Sequence, residues 1–181
     1  MGIVEGSKSR AVLPSVLIGA DEIERRVAEL GEQISERYAG SSLVLIGVLT
    51  GAVVFLVDLM RRITVPTEID FLAVSSYGHR TVSGELRVLK NIDLDISGRN
   101  VIIVEDIVDT GRTLNAVCAM LRVRQPGSLE TCVMLDKPSR REVSVPVEYR
   151  AFTIPDRFVV GYGLDWAGHY RNLDYIGVVE T

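Results

Sequence analysis

The chain has 181 residues, of which 47% are hydrophobic and 24% are charged, and its formal net charge at pH 7 is −4. That length suffices for one well-buried domain and is too short for two ordinary ones. The acidic balance, with an isoelectric point near 5.3, argues against a nucleic-acid-binding surface, and nothing in the composition indicates a membrane partner.

Residues 1–10 lack the basic segment followed by an apolar run that a signal peptide needs, so we expect a cytoplasmic protein. Two histidines are too few for a histidine metal cluster, and the chain contains no Walker, Gly-x-Ser-x-Gly or Cys-x-x-Cys pattern. These patterns argue against zinc enzymes, serine hydrolases and Walker-type nucleotidases. Cys118 lies in a helix pattern and Cys132 in a strand pattern, which favours buried free thiols over a disulfide.

The first predicted elements are a short strand at 15–18 and a long amphipathic helix. Asp21 and Glu24 have the spacing of a capping box, which predicts that the helix begins there. An apolar stripe then continues up to Gly40 at helical spacing, formed by Ile23, Val27, Leu30, Ile34 and Tyr38. This helix is expected to pack against the core, and nothing in it indicates a function.

A unit of strand, loop and helix follows at residues 43–60. The apolar run at 43–49 predicts a buried strand, and the helix after the Thr50-Gly51 turn is expected to present one apolar face, formed by Val53, Leu56, Val57 and Met60. The turn would place free backbone N–H groups at the edge of the sheet, without a charged side chain nearby. Taken alone, this turn is predicted to have a structural role, which is the usual role of a glycine turn.

Residues 68–76 form the next predicted strand. The polar stretch 78–85 contains two glycines and shows no apolar period, so it is predicted to be a loop. Loops of this kind are usually plain connectors on the surface. A further strand is expected within residues 86–95.

The stretch 101–114 combines a buried strand, two acids and the start of a helix. Four aliphatic residues at 101–104 predict a strand buried on both faces. Glu105 and Asp106 interrupt this run, and a loop at 106–112 leads into a helix. The apolar residues of this helix are spaced by three and four positions, at Leu114, Val117, Cys118 and Leu121. Ligands of open α/β sheets bind at such strand ends.

The loop before this helix carries the groups that bind a phosphate. Backbone N–H groups at a helix N-terminus, a glycine, two hydroxyls and one cation come from Asp109, Thr110, Gly111, Arg112 and Thr113. Glu105 and Asp106 would repel the same phosphate, so we assign them to sugar hydroxyls or to a magnesium ion contacted through water. The cluster therefore predicts a sugar phosphate. The alternative is a strand that ends in solvated acids and an ordinary turn.

Strands and helices continue to alternate after this helix. Residues 129–135 predict another parallel strand, so the fold class is α/β, with a mainly parallel twisted sheet flanked by helices. Short strand-like runs between residues 143 and 165 predict a small appendage. We expect one domain over residues 1–181, with a hood formed by the N-terminal lead and about residues 138–170.

Several side chains in the second half of the chain allow two interpretations. Lys137 follows a strand end and is either a functional cation or a solvated lysine. Phe158 lies in an apolar run, and by composition it belongs to the core. Arg171, taken alone, is a surface residue. Arg140 and Arg141 are interpreted as solvated.

Three separated segments resemble one protein family. The segment VIIVEDIVDTGRTL at 101–114 is similar to the phosphoribosyl pyrophosphate signature of the type I phosphoribosyltransferases. The segments DKPSRR at 136–141 and IPDRFVVGYGLDW at 154–166 resemble those of the bacterial-type hypoxanthine-guanine branch. The resemblance extends over about residues 12–180 and implies the type I phosphoribosyltransferase fold.

The resemblance also implies roles for individual residues. It implies a phosphoribosyl site made by Glu105, Asp106, Asp109, Thr110, Gly111, Arg112 and Thr113. It implies pyrophosphate contacts from Leu49, Thr50, Gly51 and Arg171, and a lid that includes Ser76 and Tyr77. Purine contacts are implied for the Lys137 ammonium on the 6-oxo group, the stacked Phe158 ring, the backbone of Val159, and Asp165.

Two further implications concern chemistry at this site. Asp109 would exchange a proton with the imidazole ring of the purine, and a magnesium cofactor would lie at Glu105, Asp106 and Asp165. Relatives often carry a lysine at the position of Thr50. Its absence here leaves that turn with a backbone role only.

The implied function is purine salvage, in which the phosphoribosyl group of phosphoribosyl pyrophosphate is transferred to hypoxanthine or guanine to give IMP or GMP. The resemblance also implies a homodimer or homotetramer. One alternative is an enzyme that prefers xanthine, and another is a non-catalytic regulator that senses phosphoribosyl pyrophosphate or binds RNA. Lys137 argues against adenine, because the 6-amino group of adenine is a donor that would face another donor.

Overall fold

The structure, a computed structural model, describes residues 13–76 and 86–179. Tyr77 and the stretch 78–85, to which the lid was assigned, lie outside the described residues, as do residues 1–12 of the predicted lead. The elements in chain order are β1 (Ser15–Ile18), α1 (Ala20–Arg37), β2 (Leu43–Leu49), α2 (Val53–Met60), β3 (Thr67–Ser76), β4 (Leu86–Lys90), β5 (Asn100–Val108), α3 (Arg112–Arg122), β6 (Ser128–Asp136), a 3₁₀ helix (Pro138–Arg140), β7 (Tyr149–Thr153), β8 (Val159–Val160) and β9 (Ile176–Val178).

Two sheets organise these elements. The larger sheet has the strand order β4-β3-β2-β5-β6-β7, and its strands are parallel except for β4, which pairs with β3 in the antiparallel sense. The smaller, antiparallel sheet has the order β1-β9-β8. The predicted fold class, a mainly parallel sheet flanked by helices, is confirmed.

The central strands are buried on both faces, as their apolar runs predicted. Alternate residues of β2 point to opposite sides, so that Leu43 and Leu45 join the apolar cluster beneath α1 and α2, while Val44 and Ile46 join the cluster beneath α3. The predicted apolar face of α3 is buried, and Cys118 and Cys132 are buried free thiols. The hood sheet contributes to the α1 and α2 side of the core.

The helix boundaries differ from the predicted ones at one end. Gly19 is the N-cap of α1 and no side chain caps this helix, so Asp21 lies inside the first turn and the predicted capping box is wrong. The negative charge of Asp21 there faces the free N–H groups of the helix start. Within the described ranges, no helix is long and apolar enough to cross a membrane.

The buried face of α2 was also predicted incorrectly. Its buried residues are Phe55, Leu56 and Leu59, whereas the predicted face shares only Leu56 with this set. Almost every residue of α2 is apolar, so the sequence period does not mark one face, and packing against α1 and β2 decides the orientation.

The strand at residues 149–153, which we had included in the hood, is β7 at the edge of the larger sheet. Conversely, β9 joins β1 and β8 in the smaller sheet. A short apolar run carries no information on which of two sheets it will join, because both environments are half buried. The hood sheet therefore consists of β1, β8 and β9.

The chain reverses direction across the sheet between β2 and β5. From β2 it continues outward to β3, and from β5 it continues the opposite way to β6 and β7. At such a switch point the loops after the two central strands diverge and leave a crevice at their carboxyl ends. Glu105 and Asp106 belong to β5, which continues to Val108, so the loop before α3 is shorter than the predicted 106–112.

Asp70 attaches β4 and the following turn to β3. Its carboxylate accepts hydrogen bonds from the backbone N–H groups of Phe71, Asp93 and Leu94 at 2.6–2.9 Å, and from the Lys90 ammonium at 3.2 Å. Burial by itself raises the pKa of Asp70, but the hydrogen bonds outweigh it and lower the pKa below its usual 3.8. The ionised form is thus the one that stabilises the fold.

We predict that Asp70→Asn lowers the free energy of unfolding by about 1–3 kcal/mol at pH 7, since an amide has one acceptor oxygen for these donors. Because the pKa of Asp70 is lowered in the folded state, this contribution is present above pH 3.8 and is lost as the pH falls further. The measurement is urea unfolding of both proteins from pH 7 to pH 3. Asp93→Asn, at a side chain that is 89% exposed, is the control. A difference between wild type and Asp70→Asn that does not shrink with falling pH would contradict the assignment.

Candidate active site

Three loops meet at the carboxyl edge of the larger sheet. They follow β2, β5 and β6, and they contain the Thr50-Gly51 turn, the segment Asp109–Gly111 and Lys137. The backbone N–H of Lys137 donates to the carbonyl of Val108 at 2.9 Å, and two further N–H groups, from Glu142 and Val143, donate to the Thr110 carbonyl. Residues predicted from separate segments are therefore neighbours.

The segment 109–111 wraps the N-terminus of α3. Gly111 is the N-cap, with φ of 83°, and its carbonyl accepts the first helical hydrogen bond from Asn115. A Cβ at this glycine would lie 2.4 Å from the carbonyl oxygen of Val143, so the loop is packed tightly against the chain after β6. A cavity of about 250 Å³ opens here, lined by residues 105–111, Thr113 and Leu114. The N–H groups at this helix start suit an anion.

Glu105 and Asp106 form an acidic pair that lines this cavity, in which Glu105 is buried and Asp106 is half-buried. Glu105 is only 8% exposed, and its Oε2 has no hydrogen-bond partner among the described residues. Burial, followed by the neighbouring charge of Asp106, raises the pKa of Glu105 well above its usual value, and burial also raises the pKa of Asp106. The alternative of a solvated acid at the strand end is therefore wrong for Glu105. A buried acceptor without a partner suits a ligand hydroxyl or a hydrated cation.

The Thr50-Gly51 turn lies directly against this pair. A Cβ at Gly51 would come within 1.5 Å of Oδ2 of Asp106, so no larger residue fits beside the carboxylate. The carbonyl of Gly51 in turn lies 2.1 Å from where a Cβ of Gly163 would be. The peptide bond between Leu49 and Thr50 is cis. The backbone of this turn, the β5 acids and the hood are thus in contact through two glycines.

Lys137 is a buried cation at the end of β6. The residue is 7% exposed, and its ammonium donates a hydrogen bond to the carbonyl of Arg157 at 2.6 Å. The interpretation as a solvated lysine is wrong. Asp136, the preceding residue, is buried as well and binds the guanidinium groups of Arg141 and of Arg150, the latter at 2.8 Å. Arg141 is therefore a partner in a buried ion pair, and its interpretation as solvated is wrong.

Phe158 lies on the surface of the hood and not in the core. It is 47% exposed, and its ring contacts that of Trp166 edge-on, with centroids 6.3 Å apart and an angle of 74° between the planes. An aromatic ring exposed to this extent is available for stacking. Trp166 was missed, and the only signal for it in the sequence was its position directly after Asp165.

The backbone of Val159 faces away from its partner strand. The N–H of Val179 donates to the carbonyl of Phe158 at 3.1 Å, which makes Val159 and Val178 a pair that exchanges no hydrogen bonds of its own. Because β8 is an edge strand, the N–H and C=O of Val159 point out of the sheet edge. They can therefore bond a planar ligand held near Phe158.

Asp165 and Arg171 form an ion pair beside the acidic pair of β5. Their closest atoms are 2.6 Å apart, the other Asp165 oxygen accepts a hydrogen bond from the N–H of Gly168, and Arg171 also donates to the carbonyl of Gly163. The charge of Arg171 partly opposes the raised pKa of Asp106. Arg171 is therefore a cation of the crevice, and not an isolated surface residue.

Asp109 is partly exposed and is bonded to a residue that the sequence interpretation had set aside. Its side chain is 40% exposed, and Oδ1 accepts a hydrogen bond from Nε of Arg140 at 3.1 Å. Arg140 also lies 3.5 Å from the carboxylate of Asp156. Arg140 is exposed, as predicted, but it is also bonded to two carboxylates. An arginine in a polar loop carries no sequence signal for such a contact.

A larger cavity, of about 560 Å³, lies behind Arg171 between α1, α2 and the hood. Its charged lining mixes acids and arginines, namely Glu24, Asp58, Arg61, Arg62, Arg171 and Asp174. The lining of this larger cavity includes neither Glu105 and Asp106 nor the start of α3. We therefore place the candidate site at the smaller cavity, where the chemical groups converge.

Comparison with known proteins identifies the family of this chain. Residues 19–166 match the family described as phosphoribosyl transferase domain. The chain is 53% identical over 167 residues to a hypoxanthine phosphoribosyltransferase of Salmonella typhimurium, a match that covers 91% of this chain and 94% of that protein.

Two solved structures show the same fold. A hypoxanthine-guanine phosphoribosyltransferase of Bacillus anthracis, crystallised with HEPES in its active site, superimposes with a TM-score of 0.90 at 44% identity, covering 93% of this chain and all of that one. A hypoxanthine phosphoribosyltransferase of Trypanosoma cruzi, in complex with the product IMP, gives a TM-score of 0.86 at 42% identity, covering 91% of this chain and 93% of that one.

We predict that Gly51→Ala lowers the free energy of unfolding by about 1–3 kcal/mol, because the added methyl group displaces the buried carboxylate of Asp106. Chemical denaturation measures this change. Gly19→Ala is the matched control, since a Cβ at Gly19 meets no atom within 4 Å. Equal stability of Gly51→Ala and Gly19→Ala would show that the turn does not lie against Asp106.

Proposed function

The chain belongs to the phosphoribosyl transferase domain family, and from this premise we propose that it is a hypoxanthine-guanine phosphoribosyltransferase of purine salvage. It transfers the phosphoribosyl group of phosphoribosyl pyrophosphate to a 6-oxopurine and releases pyrophosphate. The choice of a 6-oxopurine as the base depends on one observation, the buried Lys137 ammonium. Its hydrogen-bond partner, the carbonyl of Arg157, directly precedes the exposed Phe158. A buried cation needs an acceptor, and a 6-oxo group provides one.

The start of α3 holds the 5-phosphate in this proposal. Backbone N–H groups of residues 110–113 and the Thr110 and Thr113 hydroxyls are the donors, and Arg112 adds a positive charge near the loop. Arg112 is currently paired with Glu142 at 2.5 Å, with its side chain 68% exposed, so it can turn toward a ligand. The Glu105 and Asp106 carboxylates then accept hydrogen bonds from the ribose hydroxyls, which supplies the partner that Glu105 lacks.

The pyrophosphate lies between the turn after β2 and the hood. The backbone of Leu49, Thr50 and Gly51 provides N–H donors, and Arg171 provides charge. Thr50 contributes no positive charge, so more of the negative charge of the pyrophosphate would have to be neutralised by Arg171 and by a metal ion.

The carboxylates at this end of the site fit a magnesium ion that is held mainly by the substrate. The described residues contain no group of three or more His, Cys, Asp or Glu side chains that could hold a metal ion by themselves. Oxygen atoms of Glu105, Asp106 and Asp165 are nevertheless the type of ligand that magnesium prefers, directly or through water. When bound, the ion would neutralise charge that builds up on the leaving pyrophosphate.

The purine lies between the hood and the end of β6. Phe158 stacks on one face of the ring, the outward N–H and C=O of Val159 contact its edge, and Lys137 donates to the 6-oxo group. Asp165, near the other end of the segment 154–166, lies toward the 2-position of the purine in this proposal. Its ion pair with Arg171 holds it in place. The 2-amino group of guanine and the 2-hydrogen of hypoxanthine are both compatible with an acceptor there.

Asp109 accepts the proton that the purine loses. As the purine nitrogen forms its bond to C1 of the ribose, the bond to pyrophosphate breaks and the leaving group keeps the electron pair. The imidazole ring must then release a proton, and a carboxylate at the edge of the phosphate loop can take it. Asp109 is 40% exposed and therefore open to the crevice.

The proposal is tested by incubating the protein with magnesium and phosphoribosyl pyrophosphate and offering hypoxanthine, guanine, xanthine, adenine and uracil in turn. We expect nucleotide formation with hypoxanthine and guanine and none with adenine or uracil. Faster use of xanthine would reassign the substrate within the family. Release of no pyrophosphate with any base would contradict the proposed activity and favour a phosphoribosyl pyrophosphate sensor.

We predict that Asp109→Asn lowers kcat by about 100-fold or more, which is the usual effect of removing a general base, while the KM for phosphoribosyl pyrophosphate changes little. Steady-state kinetics with hypoxanthine measure both constants. Asp93→Asn, which changes an 89% exposed carboxylate away from this site, is the control and should retain most activity. A variant at Asp109 with unchanged kcat would remove this residue from the mechanism.

We also propose that the protein acts in the cytoplasm as a homodimer or homotetramer. This part of the proposal is supported by the family resemblance. Sedimentation of the purified protein at micromolar concentration measures the assembly.

A further inference from the structure

Arg140 lies where three segments of the base-binding side of the site meet. Its Nε donates to Oδ1 of Asp109 at 3.1 Å, and its Nη1 is 3.5 Å from Oδ2 of Asp156. Its own backbone N–H donates to the carbonyl of Lys137 at 3.1 Å, at the end of the 3₁₀ helix. The guanidinium thus connects the loop before α3 with the segment that leads into Phe158.

We propose that Arg140 is a positioning residue, which orients the carboxylate of Asp109 to receive the proton of the purine. This inference rests on the proposed function and adds to it a residue that does not itself touch the reacting atoms. Nothing in the sequence distinguishes Arg140 from its neighbour Arg141 for this role.

Because of this hydrogen bond, the two carboxylate oxygens of Asp109 have different roles in the proposal. Oδ1 is held by Arg140, whereas no described residue donates a hydrogen bond to Oδ2. A carboxylate rotates with little resistance about its last torsion, so a donor on one oxygen fixes the plane of the group. The other oxygen is then directed to a substrate, as in other sites where a third group orients the base.

The division is consistent with the course of the reaction. The bond between the purine nitrogen and C1 of the ribose forms, the bond from C1 to pyrophosphate breaks with its electron pair, and the purine proton passes to Oδ2 of Asp109. Arg140 remains protonated throughout and exchanges no proton. Its contribution is a restricted carboxylate and a correctly placed acceptor.

Lys137 and Arg140 also attach the same stretch of the hood. Lys137 donates to the carbonyl of Arg157, and Arg140 reaches the side chain of Asp156. Both contacts lie within two residues of the Phe158 ring. Displacement of this stretch when a base enters would therefore act on Arg140, and through it on Asp109.

The competing explanation is an ordinary surface ion pair without effect on the rate. The side chains of Arg140, Asp109 and Asp156 are 49%, 40% and 52% exposed. Ion pairs at this exposure contribute little to stability, so substitution of Arg140 is expected to leave the fold intact. The two explanations consequently differ in kinetics and not in folding.

The test compares Arg140→Gln and Arg140→Lys with the control Arg25→Gln, which removes an ion pair with Glu29 on the far surface of α1. We expect Arg140→Gln to lower kcat by about 10-fold with both KM values within about two-fold, the scale of coupling between contacting residues. Arg140→Lys should recover part of the loss, because an ammonium can also donate to Oδ1. Arg25→Gln should match wild type in both constants.

A second arm introduces Arg140→Gln into the Asp109→Asn variant. If Arg140 acts through Asp109, the second substitution lowers kcat by less than two-fold in that background, since residues that act as a unit are not additive. A full further 10-fold loss there, or an unchanged kcat of Arg140→Gln in an active wild-type background, overturns the inference and leaves the proposed function standing. A wild-type protein without turnover on any base overturns both.

Discussion

The packing of two adjacent carboxylates at the end of β5, one buried and one half-buried, constrains the rest of the site. Two acids this close are unfavourable in the ionised form, and burial together with the neighbouring charge raises the pKa of Glu105. Such an arrangement persists only when the surrounding sheet holds it in place. Here β6 pairs with β5 from Asn100 to Val108, whereas the pairing with β2 ends at Val104 and Gly51 of the turn after β2 lies against Asp106.

The neighbouring elements are shaped by this pair. Gly51 leaves room for the Asp106 carboxylate, and Gly163 leaves room for the carbonyl of Gly51, so that the hood approaches the sheet through backbone alone. Arg171 brings a compensating charge from the hood to the same point. Substrate hydroxyls and a cation would lower the free-energy cost of ionising Glu105 and Asp106. The same two carboxylates therefore contribute to ligand binding and determine the shape of the site.

At the end of β6, on the side of the site proposed to bind the base, buried cations are paired with oxygen atoms of the protein. Among the described residues no carboxylate pairs with Lys137, whose ammonium donates to the carbonyl of Arg157, and in the proposed function its charge is available to a 6-oxo group. The buried carboxylate of Asp136, the residue before Lys137, binds Arg141 and the exposed Arg150, and these ion pairs hold the chain at the end of β6. In the proposed function the two halves of the site meet at Asp109, which belongs to the loop before α3 and faces the base.

The sequence by itself determined the fold class, the buried strands and the apolar face of α3, because these depend on local periodicity and on runs of aliphatic residues. Family resemblance supplied most of the proposed site residues, and charge repulsion alone led to the prediction that the acids of β5 face sugar hydroxyls or a magnesium ion and not the phosphate. Only the tertiary structure decided which face of α2 is buried, that residues 149–153 join the larger sheet, that Phe158 is exposed, and that Arg140 and Arg141 are bonded. Each of these depends on contacts between segments far apart in the chain, and a single short segment carries no record of its distant partner.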